Sequence, residues 1–263
     1  MTKHHLAIAA LAALILTMAH AVTHAAEVKV LSAVGMRQVM LDLGPKFERA
    51  TGHTLTITFD STGLIAKRIS SGETADIVMI NQSALETLEQ NGRVIKGTLS
   101  HIARSVAAVG VRKGVKTDIS TADAFKRLLL SAKSVARPSP AVGGSSADHI
   151  VKVMERLGIT DEVNAKSVIV TTGHAGQVAE SPGDAVAKGE AEIALHQLQE
   201  LMAVPGIDIA GPFPGELQGQ FVFSAAIGTN AKEEAGGRAL IEFLRTPQAR
   251  IVIGAKGMES IAQ

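Results

Sequence analysis

Glu27-Val28-Lys29-Val30-Leu31-Ser32-Ala33-Val34-Gly35-Met36-Arg37-Gln38-Val39-Met40 changes periodicity partway along. Glu27 to Leu31 reads as a strand. From Met36 the apolar residues recur every three or four positions, so Met36, Val39, Met40, Leu43 and Phe47 share one face of a helix running to Ala50 and ending at Gly52. Between the two lies a turn of small residues, Ser32 to Gly35. Ser61-Thr62-Gly63 and Gly143-Gly144-Ser145-Ser146 have the same layout, each just ahead of a helical stretch. The first N–H groups of a helix have no partner within it, so small hydroxyl and glycine residues there leave donors free for an anion, with no counter-charge needed beside it.

Working outward, Leu55 to Phe59 reads as a strand, Leu64 to Ser71 as a helix, Asp76 to Ile80 as a buried strand, and Ser83 as the cap of a helix to Asn91. This strand–helix alternation predicts a largely parallel sheet covered by helices on both faces. A second unit begins near Ser105. It has strands at 106–111, 134–136, 168–171 and 193–195 and helices at 121–131, 145–157 and 183–188. A strand at 221–227, a helix from Ala231 to Arg245 and a short helix from Pro247 to Ile253 close the chain. If 106–111 and 221–227 are paired hinge strands, the fold is α/β with two doubly wound lobes around a cleft. The expected division is a signal peptide at 1–25, a discontinuous first lobe of 26–105 and 220–263, and a second lobe of 106–219.

The signal peptide is read from Lys3, the uncharged apolar run Leu6 to Met18 and the small residues before Ala26. The run is shorter than the roughly 20 apolar residues of a membrane span. Export to the periplasm follows. The chain has no cysteine, which removes disulfides, thiolate metal ligands, cysteine nucleophiles and a lipidated anchor. Lys3 leaves with the signal, so acidic and basic residues balance and give no electrostatic case for nucleic acid or a membrane surface. Seven Phe with no Tyr or Trp argue against ligands held by ring stacking.

The order of elements, the strand–Ser/Gly–helix start, Phe59 to Ile69, Ala75-Asp76-Ile77 and Phe243-Leu244-Arg245-Thr246-Pro247-Gln248-Ala249 together resemble the periplasmic molybdate-binding proteins of ABC importers. The resemblance spans essentially the whole mature chain. It implies the type II periplasmic binding protein fold, an oxyanion in the cleft and a membrane permease as partner; the chain is expected to be a monomer without cofactor.

It also implies site residues. The family's first serine falls at Gly35, with Ser32 earlier in the same turn, and its second falls at Thr62, beside Ser61. Backbone donors fall at Ser146, next to Ser145, and near Ala179. The family's tyrosine falls at Gln197, whose amide both donates and accepts and so suits a carboxylate or hydroxy-acid. Arg137, just before the Pro138 turn, is a candidate cation for a carboxylate, and so is Arg37. His196 either faces the cleft or packs behind it. Ser61, Ser145 and Ser146 also serve as helix caps wherever a helix begins, and the glycines as turn residues.

No Gly-x-Ser-x-Gly elbow, His-Glu-x-x-His, phosphate-binding loop or dinucleotide fingerprint occurs, and the histidines beyond the signal lack ligand spacing. Neither an enzyme nor a metal site is expected. Asp76 is read as part of the cleft wall. The expected function is capture of a small anion, a molybdate-type oxyanion, for an ABC importer. The alternatives are a small organic acid, for import or sensing, and an exported α/β enzyme.

Overall fold

The computed structural model describes residues 25–171 and 180–261. Strand β1 (Glu27–Ala33) lies parallel to β2 (Thr54–Asp60) and β3 (Ile77–Asn81), and helix α1 (Arg37–Thr51) follows it with Val39, Met40, Leu43 and Phe47 buried. Each such side chain contributes about 1.5–3 kcal/mol on leaving water. Gly52 stops the helix at φ +78°, a conformation an L side chain rarely adopts. Pro45 lies inside α1 and removes one donor to the Leu41 carbonyl, on the exposed side where water reaches the backbone. Helices α2 (Thr62–Ser70) and α3 (Gln82–Gln90) continue the alternation. Ser83 lies inside α3 and does not cap it, because the helix begins at Gln82, with Asn81 at the cap position.

Strand β4 (Ser100–Arg112) is the structural centre. Ser100 to Val106 pair antiparallel with β9 (Gln220–Ile227), which in turn pairs with β3. From Ala107 to Arg112, β4 pairs instead with β7 (Ile193–Gln197) and β8 (Ile207–Pro212). Residues 106–111 and 221–227 are therefore not paired along their length, since β4 changes partners at Val106/Ala107. Strand β5 (Val135–Pro138) lies parallel to both β6 (Ser167–Val170) and β7. The sheet order is β2-β1-β3-β9-β4-β7-β5-β6, with β8 and the short β10 (Glu259–Ser260) attached to β4.

Around the second half stand α4 (Ala122–Ser131), α5 (Ser145–Leu157), α6 (Thr160–Asn164), α7 (Pro182–Ala187) and α8 (Leu198–Met202). Helices α9 (Glu234–Leu244) and α10 (Pro247–Ala255) return to the first half. The helix expected from Ala231 begins at Glu234, because the backbone N–H groups of Lys232 and Glu233 both donate to the Asp76 carboxylate. The architecture is α/β throughout. Its consequence for function is that the carboxyl ends of β1, β2 and β3 face those of β5 and β7 across β4, the position at which open α/β sheets bind ligands.

Candidate functional site

The facing strand ends enclose a cavity of about 40 Å³, room for roughly three water molecules at ~10–15 Å³ each. One wall comes from the ends of β1, β2 and β3, with Gly35, Ser61, Thr62 and Asn81, together with Phe223 of β9. The other comes from Ser139 after β5, the start of α5, His196 and Gln197 at the end of β7, and Glu200 on α8. The walls touch where the Gly63 N–H donates to the Gly143 carbonyl at 2.9 Å, so two of the three small-residue turns meet backbone to backbone. A Cβ on Gly143 would stand 3.2 Å from the Gly63 Cα.

Seven of the residues singled out from sequence lie on the wall or at its edge, but with altered roles. Ser61 Oγ accepts the Leu64 N–H at 3.2 Å and caps α2. Thr62 Oγ1 donates to Asn81 Oδ1 at 2.6 Å, so its one hydroxyl proton is already committed within the protein. Gly35 lies so close to Phe223 that a Cβ there would stand 2.5 Å from the ring's Cζ, and its carbonyl accepts from Gln199 Nε2 at 3.2 Å. The phenyl ring occupies the space that the side chain of a serine at this position would need. Gln199 is held from behind by a hydrogen bond from the Ser105 hydroxyl to its Oε1, and its Nε2 also donates to Gln197 Oε1 at 3.1 Å.

On the opposite wall Ser145 opens α5, and its Oγ is buried with no hydrogen-bond partner. Ser146 lines the cavity and is itself buried. The Asp148 N–H is taken by the Gly144 carbonyl, so the N–H groups of Ser145, Ser146 and Ala147 precede the helix's own ladder and border the cavity. His196 is 3% exposed, with its Nε2 buried and unpartnered. Its Nδ1 has two neighbours with opposite demands: the Gln197 N–H at 2.7 Å asks for a lone pair, and Glu200 Oε2 at 3.0 Å asks for a proton. The carboxylate is the stronger partner because its bond is charge-assisted, which places the proton on Nδ1 and the lone pair on Nε2.

Ser32 and Arg137 are not brought to the cavity. Ser32 is buried within β1 and its hydroxyl donates to the Ala33 carbonyl at 3.3 Å. Arg137 is buried on the reverse side, where Nε donates to Ser167 Oγ at 3.0 Å and Nη2 to Asn164 Oδ1 at 2.8 Å. Strand alternation explains it, since Pro138, the last residue of β5, reaches the cavity and Arg137 immediately before it takes the other face. Burial lowers the Arg137 pKa, and the guanidinium remains a structural cation. Arg37 lies over the Phe59 ring at 4.7 Å, outside the cavity lining. Ala179 lies outside the described residues.

Asn81, Gln199, Glu200 and Phe223 were missed from sequence. A signal existed for Glu200, which stands four residues after His196, although the strand-to-helix break at Gln197 hides the pairing from helical periodicity. Asp76 is not in the cavity wall. It precedes β3 at the end opposite Asn81, and its carboxylate accepts the backbone N–H groups of Lys29, Lys232 and Glu233.

Residues 28–259 match the family model described as bacterial extracellular solute-binding protein. Aconitate isomerase from Pseudomonas sp. is 33% identical over 239 residues, covering 88% of this chain and 87% of that protein. Molybdate-binding protein ModA from Azotobacter vinelandii is 28% identical over 241 residues, covering 89% and 90%. The solved periplasmic molybdate-binding protein of A. vinelandii superposes with a TM-score of 0.72 at 20% identity, covering 88% of this chain and 98% of that one. The sulfate-binding protein SubI of Mycobacterium tuberculosis gives 0.70 at 15% identity, covering 90% and 87%. The type II periplasmic binding protein fold, the family match along nearly the whole chain and the cavity at the facing strand ends agree: the chain belongs to the bacterial extracellular solute-binding proteins, as a divergent relative of the molybdate-binding ones.

Proposed function

We propose that the cavity captures a small carboxylic acid anion in preference to a tetrahedral oxyanion. The observation that supports this most is the Phe223 ring packed against Gly35. A molybdate-type anion presents only oxygen and rewards a shell of donors. Here the wall offers a ring edge where a hydroxyl would stand, and the Thr62 hydroxyl donates inward to Asn81. An apolar edge between polar groups suits a carbon skeleton bearing carboxylates. The start of α5, with Ser145 and Ser146, supplies donors for one carboxylate. Among the described residues nothing accepts from Gln197 Nε2, which supplies another, and Glu200 discriminates against a ligand made of acceptors alone. The relative named for aconitate, an unsaturated tricarboxylate, fits the same chemical class.

In this reading residues 26–105 with 220–263 form one lobe and 106–219 the other. The chain works in the periplasm as a monomer after loss of its signal peptide, and it delivers the bound acid to the permease of an ABC importer. Closure is selected because each lobe contributes only part of the ligand's bonds.

A thermal-shift panel of molybdate, tungstate, sulfate and di- and tricarboxylates, including citrate and both aconitate isomers, tests the ligand class. At a hundredfold excess over Kd a ligand stabilises by about 2.7 kcal/mol. For a domain of this size that is a rise of roughly 5–10 °C. The expected result is a rise with one or more carboxylates and none with molybdate. A rise with molybdate alone, or no rise with any anion, overturns the reading.

A further inference from the structure

We propose that His196, positioned by Glu200, exchanges a proton with carbon in the bound acid, so that the cavity is a site of allylic proton transfer as well as of binding. The inference rests on the carboxylic acid reading above. Three features support it. His196 lines the cavity, is 3% exposed, and keeps Nε2 buried with no hydrogen-bond partner. An unmet polar atom of this kind costs stability and calls for an explanation. Glu200 Oε2 stands 3.0 Å from Nδ1, the arrangement in which a carboxylate fixes the tautomer and orientation of an imidazole base. On the same wall, the start of α5 presents the Ser145, Ser146 and Ala147 N–H groups and the unpartnered Ser145 Oγ, donors suited to a carboxylate that gains negative charge.

The substrate class is an unsaturated polycarboxylate with a CH₂ group between a carboxylate and a carbon–carbon double bond. Nε2 removes one proton from that CH₂, breaking a C–H bond. The electron pair spreads through the double bond into the carboxylates, where the α5 donors stabilise it. The imidazolium, stabilised by Glu200, then returns a proton to the far end of the allylic system, forming a C–H bond and moving the double bond by one position. One proton leaves and one returns, so the step needs no oxidant, reductant or second substrate. His196 is the catalytic residue in this scheme, and Glu200 is a positioning residue.

The test incubates the protein with trans-aconitate in D₂O, with any other carboxylate that raises the melting temperature as a further probe. Proton NMR follows deuterium incorporation and isomerisation, and calorimetry measures Kd separately. Wild-type protein is expected to incorporate deuterium at the allylic positions. His196→Gln is expected to lose at least about a hundredfold in rate, with Kd changed less than tenfold. Glu200→Gln is expected to slow exchange and to shift its pH profile, which a purely structural role would not do. His196→Ala opens space for added imidazole, and recovery of exchange with imidazole supports the assignment even where Gln at this position disturbs folding. A carboxylate that binds without deuterium incorporation overturns the proton-transfer inference and leaves the binding reading standing. Exchange that survives unchanged in His196→Gln also overturns it. Failure of every carboxylate to bind removes both.

Discussion

Asp76→Ala is expected to lower stability by about 3–5 kcal/mol while leaving ligand affinity of the folded protein unchanged. The carboxylate is 4% exposed and accepts three backbone donors: Oδ2 takes the Lys29 N–H at 2.7 Å, and Oδ1 takes those of Lys232 at 2.7 Å and Glu233 at 2.9 Å. A hydrogen bond to a charged group contributes about 1.5–3 kcal/mol, and the stranded donors add their own desolvation cost. The upper end of the sum is discounted because Lys232 and Glu233 lie partly in water. The effect is long-range, since one side chain ties β1, β3 and the mouth of α9 together. Glu233, at the cap position of α9, makes no capping bond of its own, so Asp76 serves that end from another element and places negative charge near the helix N-terminus. Asp76→Asn keeps an acceptor for part of this set, and about half the loss is expected. Urea unfolding midpoints measure both. A loss below about 1 kcal/mol for Asp76→Ala would show that water replaces the carboxylate, and the tie would then contribute little.

The misreading of Asp76 shows which parts of the site the sequence makes legible. The three turns are local chemistry: a small residue at a strand end followed by a helix start is visible within ten residues, and Gly35, Ser61, Thr62, Ser145 and Ser146 all reach the cavity. Position along a strand is less visible. Asp76 and Asn81 bracket the same strand, and only the parallel pairing of β1 with β3 fixes which end meets the ligand. Arg137 fails for a related reason, because nearness to a turn does not decide which face of a strand a side chain takes. Phe223 depends on the register of β9 against β3, in which Asn81 stands opposite Phe223, and nothing within either segment encodes that pairing. The five-residue helix α8 is too short for periodicity to reveal, and Gln199 and Glu200 were lost with it. Strand β8 ends in Gly211 and Pro212, residue types that interrupt a strand pattern, and it pairs with β4 through a register shift at Val109/Gly110.

Gly35→Ser is the sharpest test of ligand class, because it restores the hydroxyl that the molybdate-binding resemblance implies. Alone it is expected to destabilise the protein by about 1–3 kcal/mol, the usual cost of overpacking a filled core. The new Cβ would lie 2.5 Å from Phe223 Cζ and 2.9 Å from Cε1, with Gln199 Nε2 at 3.1 Å on another side. The ring cannot simply swing aside, since Phe223 is 1% exposed and its backbone is held between β3 and β4. Phe223→Leu removes the colliding ring edge, and the two changes should therefore couple: the double variant is expected to lose at least about 1 kcal/mol less than the sum of the single losses. It also replaces a ring edge by a hydroxyl in the cavity wall. One added hydrogen bond to an anion is worth about 1.5–3 kcal/mol, so molybdate affinity in the double variant is expected to rise roughly tenfold or more over wild type, while carboxylate affinity falls. Urea midpoints for the four proteins of the cycle and calorimetric titration with molybdate and with the best carboxylate read both effects. If Gly35→Ser is as stable as wild type, the Phe223 contact does not exclude a side chain there. If the double variant gains no molybdate affinity, ligand class is decided elsewhere on the wall, with Glu200 the next residue to change.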